Sequence, residues 1–77
     1  MKPNTKYALI APGNVNLGYF LKNKFYPIMF DENGYDAELK SDGYVYQVGE
    51  ESPIAKIKNL SYTRLKDSNV FELIKIE

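Results

Sequence analysis

From Leu17 to Val48 apolar and polar residues alternate, and the alternation breaks at Asn23-Lys24, Asn33-Gly34 and Asp42-Gly43. Successive side chains of an extended chain point to opposite faces, so the pattern predicts short strands joined by tight turns, an antiparallel meander. A two-residue turn at Asn23-Lys24 sets Leu21 opposite Tyr26, Tyr19 opposite Ile28 and Leu17 opposite Phe30. A strict hairpin at Asn33-Gly34 would oppose Asp31 and Asp36, and like charges across a ladder repel. A four-residue loop over Asp31-Glu32-Asn33-Gly34 avoids this by closing Phe30 onto Tyr35. The Asp42-Gly43 turn then opposes Leu39 to Tyr46 and Ala37 to Val48. One face thus carries an apolar residue from every strand and is expected to be the core. The other carries Phe20, Lys22, Phe25, Pro27 and Met29, then Asp36, Glu38, Lys40, Val45 and Gln47, apolar at one end and charged at the other.

The flanks add elements to the meander. Residues 1–6 are polar and expected to fray, and Tyr7–Ala11 reads as a first strand ended by Pro12-Gly13. Ser52-Pro53 has the form of a helix start, with Ile54, Ile57 and Leu60 at three-residue spacing. This favours at most one short helix near residues 53–60, although the alternation of Lys56 and Lys58 with Ala55 and Ile57 also fits an edge strand. Tyr62–Leu65, the turn Lys66-Asp67-Ser68-Asn69 and Val70–Ile76 predict a final hairpin. The fold class is therefore all-β: five to six antiparallel strands closing into a small barrel or roll. In size and strand order this resembles the SH3-like barrels at the level of architecture, and architecture carries no activity with it.

At 77 residues there is one domain, residues 1–77, and a small core. No cysteine is present to supply a disulfide, so seven Tyr and four Phe must provide much of the buried area. The apolar run Tyr7–Ala11 is too short for a signal-peptide core or a membrane span, and a cytoplasmic setting is expected. Lys, Asn, Ile, Tyr and Phe, all with A/T-rich codons, make up 33 of the 77 residues, which suits a bacterial or phage reading frame.

Composition narrows the chemistry. With no His, Cys or Trp, the commonest general base, the thiol nucleophile and the usual zinc, copper and haem ligands are missing. Gly13 to Gly18 has the spacing of a phosphate loop, but Tyr19 and Phe20 stand where Lys and Ser or Thr are needed. Asp31, Asn33, Asp36 and Glu38 have the look of a calcium loop, but Gly34 falls at the wrong offset and no glutamate closes it. No metal, cofactor or catalytic residue is expected.

Two surfaces remain as candidates. The net charge is zero, yet residues 1–30 hold four Lys and no acid, residues 31–51 seven acids and one Lys, and residues 52–77 five bases and three acids. The leading expectation is a non-enzymatic protein-binding module using the Phe20, Phe25 and Met29 face or the acidic 31–51 hairpin with Asp36 and Glu38. A phage or mobile-element product acting on a host protein is a fitting source. The second is a single-stranded nucleic-acid binder in which Lys56, Lys58, Arg64 and Lys66 surround Tyr62, bases stacking on the ring and phosphates on the cations. The third is a homo-oligomer whose self-association is the function.

Overall fold

The computed structural model describes residues 1–28 and 36–76. Eight strands occur among them: β1 (Tyr7–Ala11), β2 (Val15–Leu21), β3 (Lys24–Pro27), β4 (Ala37–Leu39), β5 (Tyr44–Gln47), β6 (Pro53–Lys58), β7 (Ser61–Arg64) and β8 (Val70–Lys75). Each pairs antiparallel with the next, and β8 pairs with β1, Ala8 opposite Ile74, so the meander closes into a barrel in sequence order. Closure leaves no free sheet edge among the described strands, which suits so small a protein. The class is as the sequence predicts, with eight strands in place of five to six. No helix long and apolar enough to cross a membrane occurs among the described residues.

The segment read as a short helix is strand β6. Lys58 pairs with Ser61 across a two-residue turn, Asn59-Leu60, in which both residues have positive φ. That is the turn geometry whose twist matches a hairpin, and it overrides the weaker three-residue apolar spacing. The first hairpin also differs in detail. Its turn is Lys22-Asn23, both at positive φ, one residue earlier than read, so Phe20 pairs with Phe25 and Tyr19 with Tyr26. Moving a two-residue turn by one position shifts the register by two, and the division into faces survives.

The β4–β5 connection changes the faces. Its loop is Ser41-Asp42-Gly43, with Gly43 at positive φ, and Leu39 pairs with Val45 in place of Tyr46. A three-residue loop instead of two inverts every later side chain. Phe25 likewise pairs with Ala37, which shifts β3 against β4; the Asp31–Gly34 loop of the sequence reading lies outside the described residues.

On β2, β3 and β5 the core face is consequently the one opposite to that expected, while β4 keeps Ala37 and Leu39 inward as expected. Phe20, Val45, Ala55, Tyr62, Phe71, Leu73, Tyr7, Leu9 and Ala37 form one buried cluster, with Phe25, Leu39 and Ile57 packed against it. Phe20 is 1% exposed. Of the stripe expected inside, Ala37 is buried and Leu39 and Leu17 are partly so, whereas Tyr26, Ile28 and Val48 are exposed. Both faces of β2 and β3 are apolar, so alternation could divide them but not choose between them.

Two β-bulges finish one end of the barrel. Leu17 is the unpaired residue where β1–β2 shifts register between Leu9 and Ile10, and Ile54 is the unpaired residue where β5–β6 shifts between Val45 and Tyr46. Bulges re-aim side chains, and both residues pack against the core at the rim.

Candidate functional site

Alternating strand direction sorts the connections between two ends. One end carries the loops around residues 12–14, 48–52 and 65–69, together with Ile28 and Asp36. The other carries the turns at 22–23, 40–43 and 59–60 and both ends of the described chain. At this second end Lys22 N–H donates to the Pro3 carbonyl at 2.8 Å, and Lys2 N–H to the Tyr7 hydroxyl at 3.0 Å. Residues 1–6, expected to fray, make hydrogen bonds here that draw them against the β2–β3 turn.

The first end opens into a cup of about 930 Å³. Phe20, Val45, Ala37 and Phe71 form its floor, Leu17, Phe25 and Ile54 its walls, and Asn16, Gln47, Arg64 and Lys66 its polar rim. The floor is the packed core itself. The cup can admit an apolar group; the polar groups around it are two amides and two cations.

The protein-binding residues expected from sequence are therefore dispersed. Phe20 is in the core and Phe25 half-buried against it, their ring centroids 5.1 Å apart, so neither lies on an open face. Asp36 is exposed beside β4 at the cup end, and Glu38 sits on the outer wall opposite Lys24 and Tyr46. Met29 lies outside the described residues.

The basic cluster around Tyr62 is not assembled either. Tyr62 is 8% exposed and stacks inside the barrel on Phe71, centroids 5.6 Å apart, so its ring is not offered to a base. Lys56 and Lys58 are exposed on the outer face of β6, and Lys56 lies over the Tyr44 ring. Arg64 lies over Phe71 at the cup mouth and is paired with Asp67 through its Nε at 3.0 Å and its Nη2. This hydrogen-bonded guanidinium holds the Asp67 carboxyl below the usual carboxylate range. Lys66 is exposed on the adjoining loop.

A different surface is continuous. Direct cross-strand partners Ile74, Ala8, Tyr19 and Tyr26 form an outward row across β8, β1, β2 and β3. Ala8 is buried although it stands outside the core cluster, flanked by the Tyr19 and Ile74 side chains. Tyr19 and Tyr26 stack at 5.1 Å, and Lys6 Nζ lies 4.8 Å from the Tyr19 centroid. Ile74 is 45%, Tyr26 41% and Ile28 56% exposed.

On the opposite wall the Tyr46 hydroxyl donates to Asp42 at 2.7 Å, and Tyr44 N–H donates to the same carboxylate at 2.9 Å. The Tyr46 bond is the main cause that lowers the Asp42 pKa, and the bond to Asp42 is the main cause that raises that of Tyr46. A depressed acid stabilises the fold above its unfolded pKa and loses that contribution as pH falls through the folded value. A raised phenol stabilises below its unfolded pKa and loses it as pH rises. The melting-temperature gap between wild type and Asp42→Asn should therefore be widest near neutral pH and close toward both extremes. A gap that is flat with pH would contradict this pairing.

No protein-family model, curated protein or solved structure matches the chain.

Proposed function

We propose that this barrel is a non-catalytic protein-binding module, and that its contact surface is the outer wall of β8, β1, β2 and β3. The observation that carries the reading is the registered row Ile74, Ala8, Tyr19 and Tyr26, bordered by exposed Ile28 and Ile76. A strand pair apolar on both faces has one face to spend on the core. The outward one supports a contact site, since contiguous exposed apolar surface with a polar border characterises interaction sites. Tyr suits such a site because a rigid ring contributes large contact area at low entropic cost. The cup is a weaker basis, because its floor already belongs to the packed core. The abundance of amino acids that have A/T-rich codons suits a phage or mobile-element product acting on a host protein in the cytoplasm.

The test is affinity capture from lysate of the cells that carry the gene, read by mass spectrometry, with wild type beside the Tyr26→Asp/Ile74→Asp double variant. Both side chains are exposed, so the fold should survive, with a melting temperature lowered by no more than about 16 °C at about 1 kcal/mol or less for each position. Captured partner should fall by about tenfold or more, the loss expected on placing charge in an interface centre. A partner retained undiminished by the double variant would remove the outer wall from consideration.

A further inference from the structure

The charge segregation along the chain becomes a separation between the two ends of the barrel. Among the described residues, the end that carries the turns at 22–23, 40–43 and 59–60 holds Lys2, Lys6, Lys22, Lys24, Lys40, Lys56, Lys58 and Lys75, against Glu38, Asp42 and Glu72. Independent contacts gather this end. Leu39 N–H bonds the Asn23 carbonyl, Ile57 N–H the Gly43 carbonyl, and Met1, Asn23, Lys40 and Asn59 border one shallow depression. The cup end carries Asp36, Glu50, Glu51 and Asp67 against Arg64 and Lys66. The described residues span 30 × 26 × 22 Å, while at about 0.1 M salt charges are screened beyond roughly 10 Å. The ends therefore act on a partner separately, and the zero net charge of the chain does not cancel the basic one.

Resting on the protein-binding reading, we infer that the partner presents an acidic protein surface and that the basic end of the barrel docks it. The lysines border the apolar row: Lys75 follows Ile74 on β8, Lys6 covers Tyr19, and Lys24 starts the strand that carries Tyr26. A partner with an apolar centre and an acidic margin meets both features at once. Nucleic acid is the less suitable polyanion. Lys6 lies over Tyr19, Lys40 over Tyr46 and Lys56 over Tyr44, so three of the outward rings already carry a cation where a base would stack. Opposed potentials of this kind set encounter rate and orientation, leaving the apolar contact to supply affinity.

The experiment titrates wild type and variants with fluorescein-labelled poly-L-glutamate, and in parallel with a labelled thymidine 20-mer, at about 0.1 M salt. Poly-L-glutamate should bind, weaken as salt is added, and bind about tenfold less to Lys22→Glu/Lys58→Glu, where two attractions become repulsions. Arg64→Glu/Lys66→Glu makes the same change of net charge at the cup end, and should alter binding by less than about threefold because of screening. Lys2→Glu/Lys75→Glu repeats the measurement if the first variant melts early. Absence of poly-L-glutamate binding, equal losses for the two charge-matched variants, or tighter binding of the thymidine 20-mer would each overturn the inference. Should poly-L-glutamate fail while Tyr26→Asp/Ile74→Asp still abolishes capture, the acidic-partner inference falls and the outer-wall reading stands. Should capture survive that double variant while poly-L-glutamate binds as described, the outer-wall reading falls alone.

Discussion

Replacing Phe20 by Ala should leave most of the protein unfolded, or lower its melting temperature by more than about 12 °C. Phe20 is 1% exposed, its ring 5.1 Å from that of Phe25 and 6.2 Å from that of Tyr62, so truncation opens a void between β2, β3 and β7. Emptying a buried Phe site costs about 3–5 kcal/mol. A chain of 77 residues has a total stability of roughly 4–12 kcal/mol, and each kcal/mol moves the melt by about 4–8 °C at this size. Phe20→Leu keeps most of the volume and should recover more than half of the loss. Tyr26→Ala, on the outer wall of the neighbouring strand, provides the contrast and should cost about 1 kcal/mol or less. Chemical denaturation followed by circular dichroism reads all three. If Tyr26→Ala were the more damaging, the sequence-derived choice of core face would be right and the closed barrel wrong.

The second large effect is expected at Gly18, where the backbone has φ +150° beside the bulged Leu17. A Cβ built there would stand 2.3 Å from the Tyr26 carbonyl oxygen, 2.8 Å from Phe25 Cζ and 2.9 Å from Pro27 Cα. Two of the three contacts are backbone of the paired strand β3, so relief requires the strands to separate rather than a side chain to rotate. Backbone strain and overpacking together make Gly18→Ala cost about 3 kcal/mol, a fall of roughly 12–24 °C in melting temperature. Gly13→Ala is the comparison. Its added Cβ meets nothing within 4 Å, although its φ of +86° still disfavours a side chain, so the loss should be about 1 kcal/mol. Equal effects at the two glycines would show that close packing of β2 on β3 does not limit stability.

Gly18 also shows why part of the site escaped a reading of residues alone. Its neighbour Leu17 continues the alternation in sequence, and only the register shift between Leu9 and Ile10 reveals it as an inserted residue turned inward. Ile54 is the same case on β6. Neither bulge has a local residue signal comparable to Asn-Gly or Asp-Gly. The Asn59-Leu60 turn has no residue signal for a related reason: Leu has no preference for positive φ, and closure of β6 onto β7 holds it there. Tyr62, Phe71 and Leu73, by contrast, belong to a hairpin that apolar alternation and the loop around Lys66-Asp67 announce plainly.

The sequence by itself determined an all-β antiparallel meander, the order of its hairpins, the lack of His and Cys chemistry, and a charge segregation beneath a net charge of zero. These follow from local rules, since alternation and turn residues act over a few positions. Which face is inside was decided only by the tertiary structure. β2 and β3 are apolar on both sides, and the third residue of the Ser41-Asp42-Gly43 loop inverts β5 against β4. Barrel closure placed Phe20 and Val45 within and Tyr19, Tyr26 and Ile74 without. The same closure brought turns distant in sequence to one end, converting a linear excess of lysine into a basic pole beside the apolar wall.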